Sequence, residues 1–186
     1  LFVTSKAGTN RLYRNQGGLS FTDVTLSSGL FTADLPTFGA SFGDIDNDGD
    51  LDLFINNRDI TEKKERNYLY KNNGGVFEEI TEAAGIHLGY EPSFCAAFFD
   101  YNNDGFQDIY VANDRYNNIN RLYRNRGDLT FEDVSEASGA GIAIDAMSTT
   151  VEDFDADGWP DIYVTNTESG NHFLHNNGDG TFSDIA

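Results

Sequence analysis

The sequence predicts an all-β protein: a β-propeller of four-stranded antiparallel blades, with about three and three-quarter blades in its 186 residues. Three observations predict it. An acidic nine-residue loop occurs three times. A hairpin motif occurs four times on the same beat. Short segments rich in β-branched and aromatic residues lie between them. A repeat of roughly 50 residues with four short strands is the sequence signature of a propeller blade.

The acidic loops begin at Asp44, Asp100 and Asp153, 56 and then 53 residues apart, and each reads D-x-[DN]-x-D-G-x-x-D. A hard cation such as calcium takes six to eight oxygens at about 2.3–2.6 Å. Side chains at positions 1, 3, 5 and 9 are expected to supply them. These are Asp44, Asp46, Asp48 and Asp52 in the first loop, Asp100, Asn102, Asp104 and Asp108 in the second, and Asp153, Asp155, Asp157 and Asp161 in the third. Position 7 would lend a backbone carbonyl, so Asp50, Phe106 and Trp159 are free to differ there. Glycine at position 6 allows the loop to turn sharply around an ion. An EF-hand would need a bidentate Glu at position 12, where this chain has Ile55, Val111 and Val164. The pattern predicts three Ca2+ sites of structural purpose, each pinning the loop between two strands.

The elements follow in order. An inner strand A precedes each loop at Gly39–Phe42, Cys95–Phe98 and Ser148–Val151, and its small residues suit a crowded propeller axis. Strand B follows each loop, as in Leu51–Ile55, Asp108–Val111 and Asp161–Val164. Strand C starts at Asn10, Asn67, Asn120 and Asn171, and strand D at Phe21, Phe77, Phe131 and Phe182. Glycine turns such as Gly17-Gly18 and Gly74-Gly75 join C to D as a hairpin. After strand D come Thr25–Gly29, Thr81–Gly85 and Ser135–Gly139. A Thr or Ser N-cap and a closing Gly predict one helical turn there. The blade boundaries are 1–38 (strands B to D and a linker), 39–92, 93–145 and 146–186. Leu1–Thr4 is a strand B without its strand A. The expectation is a piece of a longer seven- or eight-bladed propeller. A small four-bladed ring, or completion of the first blade by a second chain, are the alternatives.

These loops and hairpins resemble the FG-GAP and VCBS repeats, the calcium-binding propeller modules of integrin α-chains, and within them the cartilage acidic protein-like group. That group alternates loops like Asp44–Asp52 with motifs like Asn120–Asn125 and Phe131–Val134. The resemblance covers essentially the whole chain. It implies calcium loops and extracellular work in adhesion or recognition, but no shared activity. Asn102 departs from the commoner acid at position 3.

Composition bounds the function. Net charge is −19, which argues against nucleic acid and anionic membranes as partners. No apolar run of 18 residues exists to span a bilayer. Three divalent ions would leave a charge of about −13. Without them the clustered carboxylates repel one another, so the fold is expected to depend on calcium, with the second site the weakest because it has one fewer carboxylate. Cys95 aligns with Gly39 and Ser148 and reads as a small buried residue. His172 and His175 align with Arg, Tyr or Lys of other strands C and read as surface residues. The basic series Arg11, Arg14, Lys71, Arg121 and Arg124 is expected to pair with Asp23, Glu79 and Asp133 across each hairpin. No nucleophile elbow, metalloprotease or phosphate-loop motif occurs, so a non-enzymatic role is expected. Binding specificity is expected in the variable D–A loops, 31–37, 87–92 and 140–146, where Phe31 and Tyr90 could stack on sugars or peptides, and in the B–C loops near Arg58 and Tyr116.

The expected function is a secreted calcium-binding module that recognises an extracellular protein or glycan. Two alternatives stand beside it. One is the propeller of a calcium-dependent polysaccharide-active enzyme, or a lectin. The other is a filament subunit that self-associates through its first blade.

Overall fold

The computed structural model of the chain describes residues 1–30, 35–62, 65–168 and 170–186. The loop aromatic Phe31 lies outside the described residues. Among them, four antiparallel sheets follow one another in chain order. The first has three strands: β1 (Phe2–Val3), β2 (Arg11–Gly17) and β3 (Ser20–Asp23). Three four-stranded sheets follow: β4 (Thr37–Gly43), β5 (Asp52–Asn57), β6 (Tyr68–Asn73) and β7 (Val76–Glu79); then β8 (Ser93–Phe99), β9 (Asp108–Asn113), β10 (Arg121–Asn125) and β11 (Phe131–Asp133); then β12 (Ala146–Glu152), β13 (Asp161–Asn166), β14 (His172–Asn176) and β15 (Phe182–Asp184). Each strand pairs with its neighbour in sequence, which is the meander of a propeller blade.

The core lies between blades, not within them. Side chains alternate along a strand, so β5 sends Leu53 and Ile55 one way and Phe54 the other. Leu53 and Ile55 pack with Leu12, Leu30 and Phe77 against the first sheet. Phe54 packs with Ile109, Val111 and Phe131 against the third. The next strand B repeats this: Tyr110 and Ala112 face Ile162, Val164 and Leu174 of the last sheet. Strands β5 and β9 are therefore buried along their whole length.

The inner strands approach closely. Ser41 Oγ on β4 donates to the carbonyl of Ala96 on β8 at 2.6 Å. All three inner strands are longer than their sequence pattern suggests, because each carries a bulge near its start: at Phe38, Phe94 and Met147. The bulged Phe38 and Phe94 rings meet edge to face at 5.5 Å, with the Arg58 guanidinium 4.7 Å from the Phe94 centroid. Cys95 on β8 is partly buried, and burial pushes its thiol pKa up. It is an inert position in character.

The turns after strand D form as expected in two cases, a 3-10 turn at Thr25–Ser27 and α1 at Ser135–Ser138. Their capping differs from the expectation. The N-cap residues are Val24 and Val134, without a side-chain cap. Thr25 and Ser135 instead accept hydrogen bonds from the backbone of Leu12 and Leu122, both at 2.9 Å, and so tie the turn to strand C. The closing glycines do take the left-handed conformation: Gly29, Gly85 and Gly139 have φ of 78, 77 and 76°. Beside these turns runs strand D of the following blade: Phe77 N–H donates to Ser28 O, and Phe131 N–H to Ala84 O. Phe77, Phe131 and Phe182 are buried, whereas Phe21 of the first sheet is 45% exposed.

Candidate metal centres

The three acidic loops fold alike. The carboxylate at position 1 accepts from the backbone N–H groups of positions 5 and 6: Asp44 from Asp48 and Gly49, Asp100 from Asp104 and Gly105, Asp153 from Asp157 and Gly158. Position 5 accepts from position 7 at 2.8–3.0 Å. The position-6 glycines have φ of 90, 92 and 94°, where any side chain would be strained. Backbone donors thus hold the acids in a ring.

Within that ring, ligand oxygens of Asp44, Asp46 and Asp48 lie within 4.8 Å of one another, as do those of Asp153, Asp155 and Asp157. In the second loop Asn102 stands between Asp100 and Asp104, and its amide donates to Asp104 at 2.8 Å. The donor set is all oxygen, as hard cations require. In the first loop Asp46 Oδ1 is buried and accepts no hydrogen bond. A buried acceptor left without a donor is costly, and a cation in the ring would satisfy it. Calcium fits these residues.

Position 9 has a second task. Asp52, Asp108 and Asp161 are fully buried at the base of the loops. Each accepts from the backbone of position 2 and from that of the Asn closing the strand-C motif: Asn72, Asn125 and Asn176. For Asp108 these are Tyr101 N at 3.0 Å and Asn125 N at 2.7 Å. Burial pushes the Asp108 carboxyl up to about 7, against the pull of those two amides, with Asp104 and Asp100 adding repulsion. Burial raises Asp52 likewise. Two expected outcomes follow. Asp108→Ala leaves two buried N–H groups unpaired and lowers stability by about 3 kcal/mol, read from urea midpoints. In metal-free protein, Asp108 binds its proton more tightly folded than unfolded. Its contribution to stability is therefore full below pH ~4 and declines as pH rises toward about 7. Thermal melts of dialysed protein at pH 5 and 7 check this, and saturating calcium, which favours the anion, removes the trend.

Position 7 varies in the sequence, yet each side chain has a fixed task. Asp50 accepts from Gly74 N at 2.8 Å. The Phe106 and Trp159 rings lie over Gly127 and Gly178, so close that a Cβ there would meet the ring at 2.7 and 2.8 Å. All three tie the loop to its own C–D turn.

Neighbouring loops are laced together. Asn47 Nδ2 donates to Gly105 O, and Asn103 Nδ2 to Gly158 O, both at 3.0 Å. Asn125 donates to Ile45 O in the first loop and Gln107 O in the second, and Asn176 to Tyr101 O in the second and Pro160 O in the third. The recurrent Asn that ends each strand-C motif was the sequence signal for this lacing; its partners are remote in sequence and were not legible.

The basic series splits into two rows. Arg11 and Arg121 pair with Asp23 and Asp133, at 2.7 and 2.8 Å, as expected. Lys71 does not pair with Glu79. It reaches over the first loop to Asp46, and to Asp48 at 3.2 Å, because its register on β6 faces the loop. Arg66 is the cation near Glu79, at 3.8 Å. Arg124 pairs with Glu132. His175 is likewise more than a surface residue: it stands against Asp155 and Asp161 of the third loop.

At the opposite ends of the strands, D–A and B–C loops meet. Ile60, Tyr90, Pro92, Arg115, Asn117 and Asn118 line a cleft of about 290 Å³. Tyr90 is partly buried there, and Tyr116 is exposed. No described helix is long and apolar enough to cross a membrane.

The model of the FG-GAP-like repeat matches residues 1–55, 100–164 and 153–186. Cartilage acidic protein 1 of Mus musculus is 25% identical over 175 residues, covering 91% of this chain and 27% of that protein. The Homo sapiens protein of the same name is 25% identical, covering 91% and 26%. The Xenopus tropicalis one is 26% identical over 180 residues, covering 91% and 27%. The chain spans about a quarter of the length of these curated relatives.

Proposed function

The chain belongs to the FG-GAP-like repeat family, and from that premise we propose that it is a secreted calcium-binding propeller module that acts by binding an extracellular protein or glycan rather than by catalysis. The observation that carries the metal part is the ring of oxygens in the acidic loops, with Asp46 Oδ1 buried and unpaired. Asp44, Asp46, Asp48 and Asp52 would hold one ion, Asp100, Asn102, Asp104 and Asp108 a second, and Asp153, Asp155, Asp157 and Asp161 a third, with the carbonyls of Asp50, Phe106 and Trp159 completing the sets. Calcium there would offset part of the carboxylate charge and fix the loops that already bridge neighbouring blades. Its role would be structural. Recognition is assigned to the far rim, where the cleft around Tyr90 offers a ring beside the polar Arg115, Asn117 and Asn118. The relatives' name ties them to cartilage and to acidity, which agrees with an extracellular, acidic module.

Calorimetric titration of metal-free protein with calcium tests the metal part, and three ions per chain are expected. One ion or none overturns it. Binding to a panel of matrix glycans and proteins, with and without Tyr90→Ala, tests the rim. Cleavage of any polysaccharide by the calcium-loaded protein would overturn the binding role.

A further inference from the structure

The four C–D hairpins place one side chain at the same register: Arg14 opposite Thr22, Lys71 opposite Glu78, Arg124 opposite Glu132, and His175 opposite Ser183. Three hairpins carry a permanent cation there. The last carries an imidazole. On the first loop, Lys71 leans onto Asp46 and Asp48. An ammonium has three donors and no lone pair, so it competes with a metal ion and cannot ligate one. On the third loop, His175 Nδ1 lies 3.1 Å from Asp161 Oδ1 and 3.7 Å from Asp155 Oδ2. The ligand atoms of all three residues lie within 4.8 Å of one another. Metal–donor bonds of about 2.1 Å put neighbouring ligands roughly 3.0–3.4 Å apart; the Asp161 separation falls in that range, and the exposed Asp155 side chain has about 0.3 Å to close. Asp161 is buried and anchored from behind by the backbone of Asn176 and Phe154. Asp155 is exposed, so the group is open to solvent on one side.

We propose that the third loop holds a zinc-class transition ion through His175 Nδ1, Asp155 and Asp161, while the first two loops remain oxygen-only sites. This rests on the reading that the acidic loops bind cations, and changes which ion the third one prefers. Imidazole nitrogen suits zinc and its neighbours; calcium takes oxygen. One nitrogen, two carboxylates and an open position make a set that zinc accepts. Asp155 and Asp161 also belong to the calcium set, so the two ions compete for this loop alone.

The experiment is native mass spectrometry and calorimetry of zinc binding in excess calcium, with cobalt(II) absorption reporting nitrogen ligation. The wild type is expected to keep one zinc. His175→Gln is expected to weaken zinc by about tenfold or more and to leave calcium in the first two loops unchanged. His172→Gln, on a histidine that faces Asp184 instead, is expected to keep the zinc. Lys71→His, which moves an imidazole onto the first loop, is expected to gain a second zinc. Unchanged zinc affinity in His175→Gln overturns the proposal. Should that variant fail to fold, a Lys71→His protein that gains no second zinc overturns it equally. Calcium binding without any zinc overturns this proposal alone. Zinc held through His175 without calcium in any loop supports it and removes the calcium reading.

Discussion

Stripping divalent cations from this protein with a chelator lowers its thermal midpoint by about 20 °C. The chain carries a net charge of −19, and its acids are concentrated in three loops where backbone donors hold them together. An ion that binds only the folded state, present at 100 times its dissociation constant, adds about 2.7 kcal/mol. Three such ions add about 8 kcal/mol, which is comparable with the ~5–15 kcal/mol total stability of a domain. For a chain of this size each kcal/mol moves the midpoint by roughly 2–4 °C. Circular dichroism melts in calcium at 100 times its dissociation constant and in EGTA check the figure, and returned calcium should restore the midpoint. The second loop, with Asn102 for a carboxylate, is expected to lose its ion first on stepwise chelation. Equal midpoints in both buffers would remove the structural role of the metal.

Gly39→Ala is expected to lower stability by about 3 kcal/mol, at the upper end for overpacking. A Cβ at this position would stand 2.2 Å from the carbonyl oxygen of Phe94, and 3.2 and 3.3 Å from Phe94 C and Cys95 Cα. These are backbone atoms of β8 in the next blade, so no side chain can rotate aside. The blades must part, and the bond from Ser41 to Ala96 parts with them. A falling urea midpoint with an unchanged slope is the expected signature. Gly49→Ala is the control: nothing lies within 4 Å of its added carbon, and its φ of 90° alone accounts for a loss of about 1 kcal/mol. Equal effects of the two substitutions would mean that blade contact at Gly39 does not limit the packing.

Sequence alone determined the strands, their order and the acidic loops. Each is a local pattern: alternating apolar residues in a strand, glycine in a sharp turn, oxygen donors at fixed spacing. Repetition multiplied weak signals, since a loop seen three times on one beat is hard to mistake. The hairpin pairs Arg11–Asp23 and Arg121–Asp133 were legible for the same reason: each Arg lies two residues along strand C from the Tyr that stands opposite the acid, a diagonal that a long side chain spans. Only the tertiary structure decided what joins one blade to the next. It sent Asn47 to Gly105 and Asn103 to Gly158 across neighbouring loops, and within a blade it sent Lys71 to Asp46 and Asp48 and His175 to Asp155 and Asp161. It also made Thr25 and Ser135 ties to strand C instead of helix caps. These partners are set by the twist and close approach of sheets whose residues lie up to 80 positions apart, as for Asn125 and Ile45. A sequence records which side chains a blade offers, and the packing of sheet on sheet chooses which of them meet.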